Sequence, residues 1–209
     1  MTWDTPRTSS SRQLTRVAGP AAMAGGLLGA LAIFLHSLQP SGCVGSECGS
    51  QSMRAASSVV TGVGAVAALL VLIGVVGLTL IARRSGQSPK LMNAGLAFAA
   101  VGFLVLLAAV IIQAAFFGGD FTGMPYFVVV GMVALIIGFV LIGIFILRSG
   151  VLPRWVGILL VVSSALLLGA NEQTSAVLLA IPFQLAVAAA GFFMWERTGR
   201  LQRVAPVQH

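Results

Sequence analysis

Cationic residues in this chain occur in every second gap between six long apolar segments, and this alternation is the strongest constraint on its fold. Eleven of the twelve Lys and Arg residues lie before the first segment, between the second and third, between the fourth and fifth, or after the sixth. The other gaps hold one cation, Arg54, and three acids, Glu47, Asp120 and Glu172. Because Lys and Arg beside a membrane helix are retained in the cytoplasm, the pattern predicts six crossings with both termini cytoplasmic.

The composition and length of these segments predict transmembrane helices. With 58% hydrophobic and 8% charged residues, the chain lies far from the roughly one-quarter charged content of soluble domains. A helix of about 20 apolar residues spans the hydrocarbon core, whereas barrel strands would appear as alternating segments of about ten residues, which are absent. The six segments are 17–38, 57–82, 91–117, 125–147, 152–170 and 175–195. The predicted fold class is therefore all-α, a six-helix transmembrane bundle.

The net charge of +7 is divided between the two sides of the predicted membrane. Eleven cations with Asp4 and Glu196 give +9 on the cytoplasmic side, and one cation with three acids gives −2 on the other. The cations adjoin helix ends, where they meet lipid headgroups, and no domain carries the basic groove that nucleic acid needs. The expected partner is the lipid bilayer, with no nucleic acid. Arg outnumbers Lys eleven to one amid abundant Ala, Gly and Val, which is typical of a GC-rich bacterial genome. We therefore expect a bacterial cytoplasmic (inner) membrane protein.

The predicted domain organisation has little outside the membrane. Residues 1–16 are expected to be a disordered basic cytoplasmic tail, 17–196 the six-helix transmembrane domain, and 197–209 a second basic cytoplasmic tail. Helix 1 is expected to open near Pro20, because proline is tolerated in a first turn. The segment 17–38 exceeds the 7–15 residues of a signal-peptide core, so an uncleaved helix is expected. Aromatic belts are predicted at both membrane boundaries, with Trp155, Phe192, Phe193 and Trp195 at the inner one.

A short sequence motif occurs in two of the turns that are predicted to be cytoplasmic. The pattern R-S-G-x-x-P-K at 84–90 recurs as R-S-G-x-x-P-R at 148–154. One interpretation is convergence on helix-capping rules: a cation at the helix end, a glycine C-cap, and a proline that starts the next helix. The other is duplication of a helical hairpin, with helices 2 and 3 matching helices 4 and 5.

The second of these turns also carries a family resemblance. The stretch LRSGVLPRWVGILL at 147–160 resembles the turn between helices 4 and 5 in a group of small bacterial membrane proteins with five to seven helices. The similarity covers residues 126–195. The group has no firm activity, so the resemblance implies a multi-helix architecture and no chemistry.

The interiors of the six segments contain no Asp, Glu, Lys or Arg. Ionisable residues within a membrane cost at least about 2.5–3.5 kcal/mol each and mark ion pathways and proton relays. Their absence argues against a proton-coupled pump and a voltage sensor. It also argues against a retinal protein, because no lysine is placed for a Schiff base.

Weakly polar residues remain as candidates. Gln184 lies near the middle of helix 6, two residues after Pro182, which cannot donate a hydrogen bond and is expected to free a carbonyl one turn back. The simpler hypothesis is that Gln184 bonds a neighbouring helix as packing, and the alternative is that Gln184, Pro182 and Gln113 line a path for a ligand. The adjacent serines at 163 and 164 have the same two interpretations.

The predicted external side offers two further candidates. His36, Asp120 and Glu172 form a possible outer-face cluster, but their spacing matches no metal-ligand motif, so no metal site is predicted. Cys43 and Cys48 are expected to form a structural disulfide, since cysteines on this side are commonly oxidised. Redox chemistry and free thiols are the alternatives, although a catalytic dithiol more often has the spacing C-x-x-C.

Small residues predict where helices pack closely. Gly25-x-x-x-Gly29 in helix 1 has the close-packing spacing, and Gly131, Ala134 and Gly138 share one face of helix 4. Packing inside the bundle is the common use of such faces, and an oligomer or partner interface is the alternative.

Three functions follow from this inventory. The first is a non-enzymatic accessory or structural membrane protein that engages a partner or a second copy through helix faces. The alternative is a transporter or channel for an apolar or lipid-like molecule. A third, an intramembrane enzyme, has only the cysteine pair and His36 in its favour, and no catalytic residue or cofactor is predicted.

Overall fold

The computed structural model describes residues 9–42, 57–84, 90–116 and 123–204, and these ranges are helical with short connections and no strand. The helices are α1 (Ser9–Ser37), α2 (Ser58–Arg84), α3 (Lys90–Phe116), α4 (Met124–Ser149), α5 (Arg154–Leu166) and α6 (Ile181–Val204). A 3-10 turn, Leu167–Gly169, continues α5, and a 3-10 segment, Ser175–Ala180, leads into α6. The predicted all-α class is confirmed.

Five of the six predicted spans are long and apolar enough to cross a membrane, and α5 is the exception. With its 3-10 turn, Arg154–Gly169 rises about 26 Å, against a hydrocarbon core of about 30 Å. It nevertheless connects opposite ends of the bundle. Its first turn adjoins the end of α4, whereas in the loop that follows it the carbonyl of Gln173 accepts a hydrogen bond from Gly42 N, beyond the end of α1, at 2.9 Å.

The helices pack in an order that differs from their order in the chain. α1 lies between α2 and α6, α5 packs on α6 and α4, and α3 packs on the outer side of α4. Consecutive helices α2 and α3 barely contact each other, whereas α4 and α5 form a close hairpin. The two proposed repeats therefore pack differently, and residues 85–89 of the first turn lie outside the described ranges.

The turn between α4 and α5 follows helix-capping rules. Gly150 ends α4 in the left-handed conformation with φ of 62°, and its N–H donates to the carbonyl of Ile146 at 3.1 Å. Pro153 precedes α5, and its carbonyl accepts from Val156 N at 3.0 Å. Glycine is favoured at such a C-cap because it carries no Cβ. These features support the convergence interpretation of this turn.

The start of α1 differs from the prediction in two respects. The helix begins at Ser9, so residues 9–16, predicted as part of a disordered tail, are helical. Pro20 therefore lies inside the helix and does not open it. Residues 9–16 include no glycine or proline to end the helix, and Thr15 is already buried against its neighbours. Packing on other helices makes an interior proline tolerable.

Every Lys and Arg within the described ranges belongs to one end of the bundle, which we call the basic end. Its cations include Arg16, Arg83, Lys90, Arg148, Arg154 and Arg197. Arg83 Nη2 donates to Asn93 Oδ1 at 3.2 Å and joins the end of α2 to the start of α3. Arg197 Nη1 donates to the carbonyl of Val151 and joins α6 to the α4–α5 turn.

Candidate functional site

The candidate site is the interface between α1 and α6, where Gln184 lies in the first turn of α6. The 3-10 segment that precedes it begins at Thr174, whose hydroxyl accepts a hydrogen bond from Ala176 N at 3.2 Å. Pro182 is the second residue of the α-helix, a position that a proline accommodates without distortion. The segment therefore changes from 3-10 to α geometry at Pro182.

The carbonyl one turn before Pro182 is not left free. This carbonyl belongs to Leu178, and it accepts the backbone N–H of Ile181. The expectation of a freed carbonyl is therefore wrong, because the 3-10 geometry supplies a donor one residue earlier than an α-helix would. Transporter sites at broken helices use unpaired backbone carbonyls, and this one is paired.

The side chain of Gln184 occupies a notch in α1 made by Gly29. A Cβ added at Gly29 would lie 2.5 Å from Gln184 Oε1 and 2.6 Å from its Cδ, so any larger residue there would displace the amide from its present position. Within the described residues, the buried Oε1 has no hydrogen-bond partner. The side chain thus faces α1, but this oxygen does not form the predicted interhelical hydrogen bond. The side chain is positioned by its packing against Gly29 of α1, and among the described residues a hydrogen bond to Oε1 makes no contribution.

Glycines bring α1 and α6 into backbone contact along this interface. A Cβ at Gly19 would lie 2.7 Å from Trp195 N, and one at Gly191 would lie 2.7 Å from the carbonyl oxygen of Gly19. A Cβ at Gly26 would lie 2.6 Å from Ala188 N. Real Cβ atoms do not approach other atoms so closely, so side chains at these positions would force the helices apart.

The predicted Gly25-x-x-x-Gly29 face is divided between two neighbours. A Cβ at Gly25 would meet Val71 N of α2 at 2.9 Å, whereas Gly29 faces Gln184 of α6. The two glycines are one turn apart, but α1 has α2 on one side and α6 on the other, so each glycine belongs to a different interface. The spacing of seven between Gly19 and Gly26 was the signal for the α6 interface, and the sequence interpretation missed it.

The small-residue face of α4 packs against another helix of the bundle, which is the commoner of the two predicted roles. A Cβ at Gly138 would lie 2.6 Å from Ala99 N of α3, and one at Gly131 would lie 2.7 Å from Leu106 Cγ. Ala134, between them, is buried. This face is therefore covered by α3 and is not open to a partner.

The centre of the bundle holds a small, apolar cavity. Its volume is about 20 Å³, and residues of α1, α2, α4, α5 and α6 line it. Phe139 in its wall stacks edge-on against Phe183, with ring centroids 4.7 Å apart. A single water molecule would fit by volume, but a buried water needs two to four polar partners and this lining is apolar. Gln184 is not among the lining residues.

The other polar candidates lie apart from Gln184. Gln113 is near the end of α3, which packs mainly on α4, so the two glutamines do not line a common path. Ser163 and Ser164 are buried, and their hydroxyls both donate to the carbonyl of Leu160 in their own helix, at 3.4 Å and 2.6 Å. The serines are satisfied locally and make no link to a neighbouring helix through these bonds.

The end of the bundle opposite the basic end brings two of the predicted outer-face residues together. His36 Nε2 lies 3.2 Å from the carbonyl oxygen of Glu172, so the contact uses the backbone of Glu172 and not its carboxylate. Asp120, Cys43 and Cys48 lie outside the described ranges. Within those ranges no group of three His, Cys, Asp or Glu residues is arranged to hold a metal ion.

Comparisons with known proteins identify no relative of this chain. No family model matches the chain, and no curated protein or solved structure matches it. The resemblance of the α4–α5 turn to small bacterial membrane proteins therefore stays a prediction. The helical composition itself indicates a multi-pass membrane protein.

Proposed function

We propose that this chain is a non-enzymatic accessory or structural subunit of a bacterial cytoplasmic membrane, which associates with a partner through an exposed helix face. The closed, apolar interior is the observation that supports this proposal most directly. The central cavity has a volume of only about 20 Å³ and no polar lining, and the amide of Gln184 is packed into the Gly29 notch. This packing of the described residues favours a role carried by the surface of the bundle over one carried by its interior.

The orientation that we propose places the basic end in the cytoplasm. Its support is the grouping of every described Lys and Arg at that end, together with the positive-inside rule. Reporter fusions test it. Fusions after Ser85, Gly150 and His209 are expected to report a cytoplasmic location, and fusions after Ser46 and Gln173 an external one. A cytoplasmic signal from the Gln173 fusion would show that α5 and α6 form a re-entrant pair.

The first half of α2 is the face that we assign to the partner. A Cβ added at Gly62 would meet no atom within 4 Å, so a small residue is left open here on the side of α2 that also carries Val59 and Leu69. Gly64 is open as well but lies on the opposite side of the helix. Val59 and Leu69 are 67% and 60% exposed on the same half of the helix. Small residues let a second helix approach closely, which is the main source of helix association in lipid. The exposed side of α3 carries large residues such as Phe98 and Leu104.

Site-specific photo-crosslinking tests this assignment. A crosslinker at position 66 on α2 is expected to give one discrete adduct, whose mass distinguishes a second copy from another protein. The same crosslinker at position 101, on the exposed side of α3, is the control and is expected to give only lipid adducts. Equal protein adducts from both positions, or none from α2, would contradict the proposal.

A bulky substitution provides the matching genetic test. Gly62→Leu is expected to abolish the α2 adduct while the bundle stays folded, because the added side chain meets no internal neighbour. Ala97→Leu adds a similar side chain to the exposed surface of α3 and is expected to leave the adduct unchanged. Loss of the adduct in both variants would indicate a general effect of bulk on folding.

The second candidate function is a transporter or channel for an apolar or lipid-like molecule. One observation favours it: the buried Oε1 of Gln184 has no partner among the described residues and could accept a hydrogen bond from a ligand. The paired carbonyl of Leu178 and the distance of Gln113 from this interface count against it.

A further inference from the structure

A groove opens at the basic end between α6 and the turn that joins α4 to α5. It encloses about 520 Å³, which lies within the roughly 300–1,000 Å³ range of small-molecule sites. Val151, Leu152 and Phe193 form its apolar wall, and the charged side chains in the lining are Glu196 and Arg197. The groove is separate from the Gln184 interface and from the open face of α2.

Aromatic side chains place this groove at the level of lipid headgroups. Trp155 stacks edge-on against Phe193, with ring centroids 5.2 Å apart, and Phe193 does the same with Phe192. Trp155 and Trp195 are about half exposed, at 47% and 51%. Exposed tryptophans at a helix end mark the membrane interface, because the ring prefers the boundary between hydrocarbon and water. A lipid headgroup is therefore the ligand most concentrated at the groove.

Arginine 197 supplies donors for a phosphate. Its Nη1 donates to the carbonyl of Val151, which orients the guanidinium against the turn. A guanidinium has five N–H donors, so others remain for a second acceptor, and paired N–H groups suit the oxygens of a phosphate. Arg148 and Arg154 flank the turn and are exposed, which adds positive potential without closing the groove.

Glu196 is the acidic side chain of the groove lining. The lining holds a carboxylate beside the cation, so it offers a partner for the positive group of a zwitterionic headgroup as well as for its phosphate. Glu196 already has a partner in the protein, but a carboxylate accepts hydrogen bonds at about four sites, so it can also accept from a primary ammonium, which offers three donors. The geometry points to a binding site for the phosphoethanolamine headgroup of an aminophospholipid, with the phosphate at Arg197, the ammonium at Glu196 and the first apolar atoms on Val151, Leu152 and Phe193.

Native mass spectrometry of the full-length protein tests this site. The protein is released from detergent in the presence of equal amounts of phosphatidylethanolamine, phosphatidylcholine and phosphatidylglycerol with identical acyl chains. We expect phosphatidylethanolamine to be retained about ten-fold more than phosphatidylcholine, a ratio that corresponds to about 1.4 kcal/mol. Phosphatidylcholine has the same charge but no ammonium N–H. Equal retention of the two, or preferential retention of phosphatidylglycerol, would overturn the proposal.

Variants locate the binding. Glu196→Gln is isosteric and is expected to remove the preference for phosphatidylethanolamine over phosphatidylcholine while both remain bound. Arg197→Gln is expected to reduce retention of all three lipids, and Arg83→Gln, which removes a cation that binds Asn93 away from the groove, is the control and is expected to change nothing.

Two outcomes separate this proposal from simpler explanations. If Arg197→Gln fails to fold because it loses the bond to Val151, Glu196→Gln alone decides, and an unchanged lipid preference in that variant overturns the site. Inorganic phosphate added as a competitor is expected to leave the bound lipid in place. Displacement by inorganic phosphate would show a general anion site instead of a lipid site.

Discussion

Gly26→Ala is expected to destabilise the bundle by about 1–3 kcal/mol, the usual cost of forcing extra atoms into a packed core. The new methyl group would lie 2.6 Å from Ala188 N and would also meet the carbonyl of Gln184. Both obstacles are helix backbone, which cannot move aside as a flexible side chain can. Relief therefore requires α1 and α6 to separate along the contact that also includes Gly19 and Gly191.

Gly62→Ala is the matched control for this prediction. It makes the same chemical change in another helix, where a Cβ meets no atom within 4 Å. It is expected to be neutral or to stabilise the protein by up to about 1 kcal/mol, because alanine is a better helix former than glycine. Unfolding in mixed micelles, followed by the fluorescence of the three tryptophans, measures both variants. Equal stability of the two variants would show that α1 and α6 are not in backbone contact.

Gln184 is the second position with a large expected effect, and its direction depends on the substituent. Gln184→Glu places a charge where only the glycine notch and the α1–α6 contact surround it, and a charge within a membrane helix costs at least about 2.5–3.5 kcal/mol. Gln184→Met keeps the length and the unbranched shape but removes the buried oxygen. An unsatisfied buried acceptor costs about 1–3 kcal/mol, so Gln184→Met is expected to be at least as stable as the unaltered protein.

The methionine variant also separates the two proposed functions. In an accessory subunit it is expected to preserve the α2 crosslink, since α1 lies between α2 and Gln184. In a transporter it would abolish or redirect transport without unfolding the bundle. A marked loss of stability in Gln184→Met would show instead that Oε1 has a partner in the membrane.

The number of helices and the grouping of cations were predictable because both depend on local composition. A run of apolar residues predicts a membrane span from its composition alone. A cation at the end of the run, such as Arg148 or Arg197, predicts the side of the membrane on which that end lies. The neighbours of each helix were not predictable in the same way. Lipid tails are as apolar as a protein core, so hydropathy does not distinguish a lipid-facing side chain from a buried one. α3 is more apolar than α1, and yet 22% of its span is buried against 44% for α1.

The candidate site was predictable in its residues and not in its surroundings. Gln184 and Pro182 were recognisable as the polar residue and the proline in an apolar helix. That Gly29 makes room for the amide depends on the pairing of the first helix with the last, which no local pattern encodes. The error at Gly25 and Gly29 has the same origin, because the spacing identified close packing but not the number of helices that take part.

The position of α1 between α2 and α6 has a consequence for biosynthesis. α1 precedes α6 in the chain by four helices and is enclosed only when α6 has entered the membrane, so the surface that includes Gly19 and Gly26 stays in contact with lipid until α6 arrives. A chain interrupted before α6 would keep its other spans, but the face of α1 that packs on α6 would stay exposed to membrane proteases. The contact between α1 and α6 thus forms only after the four helices between them have been made.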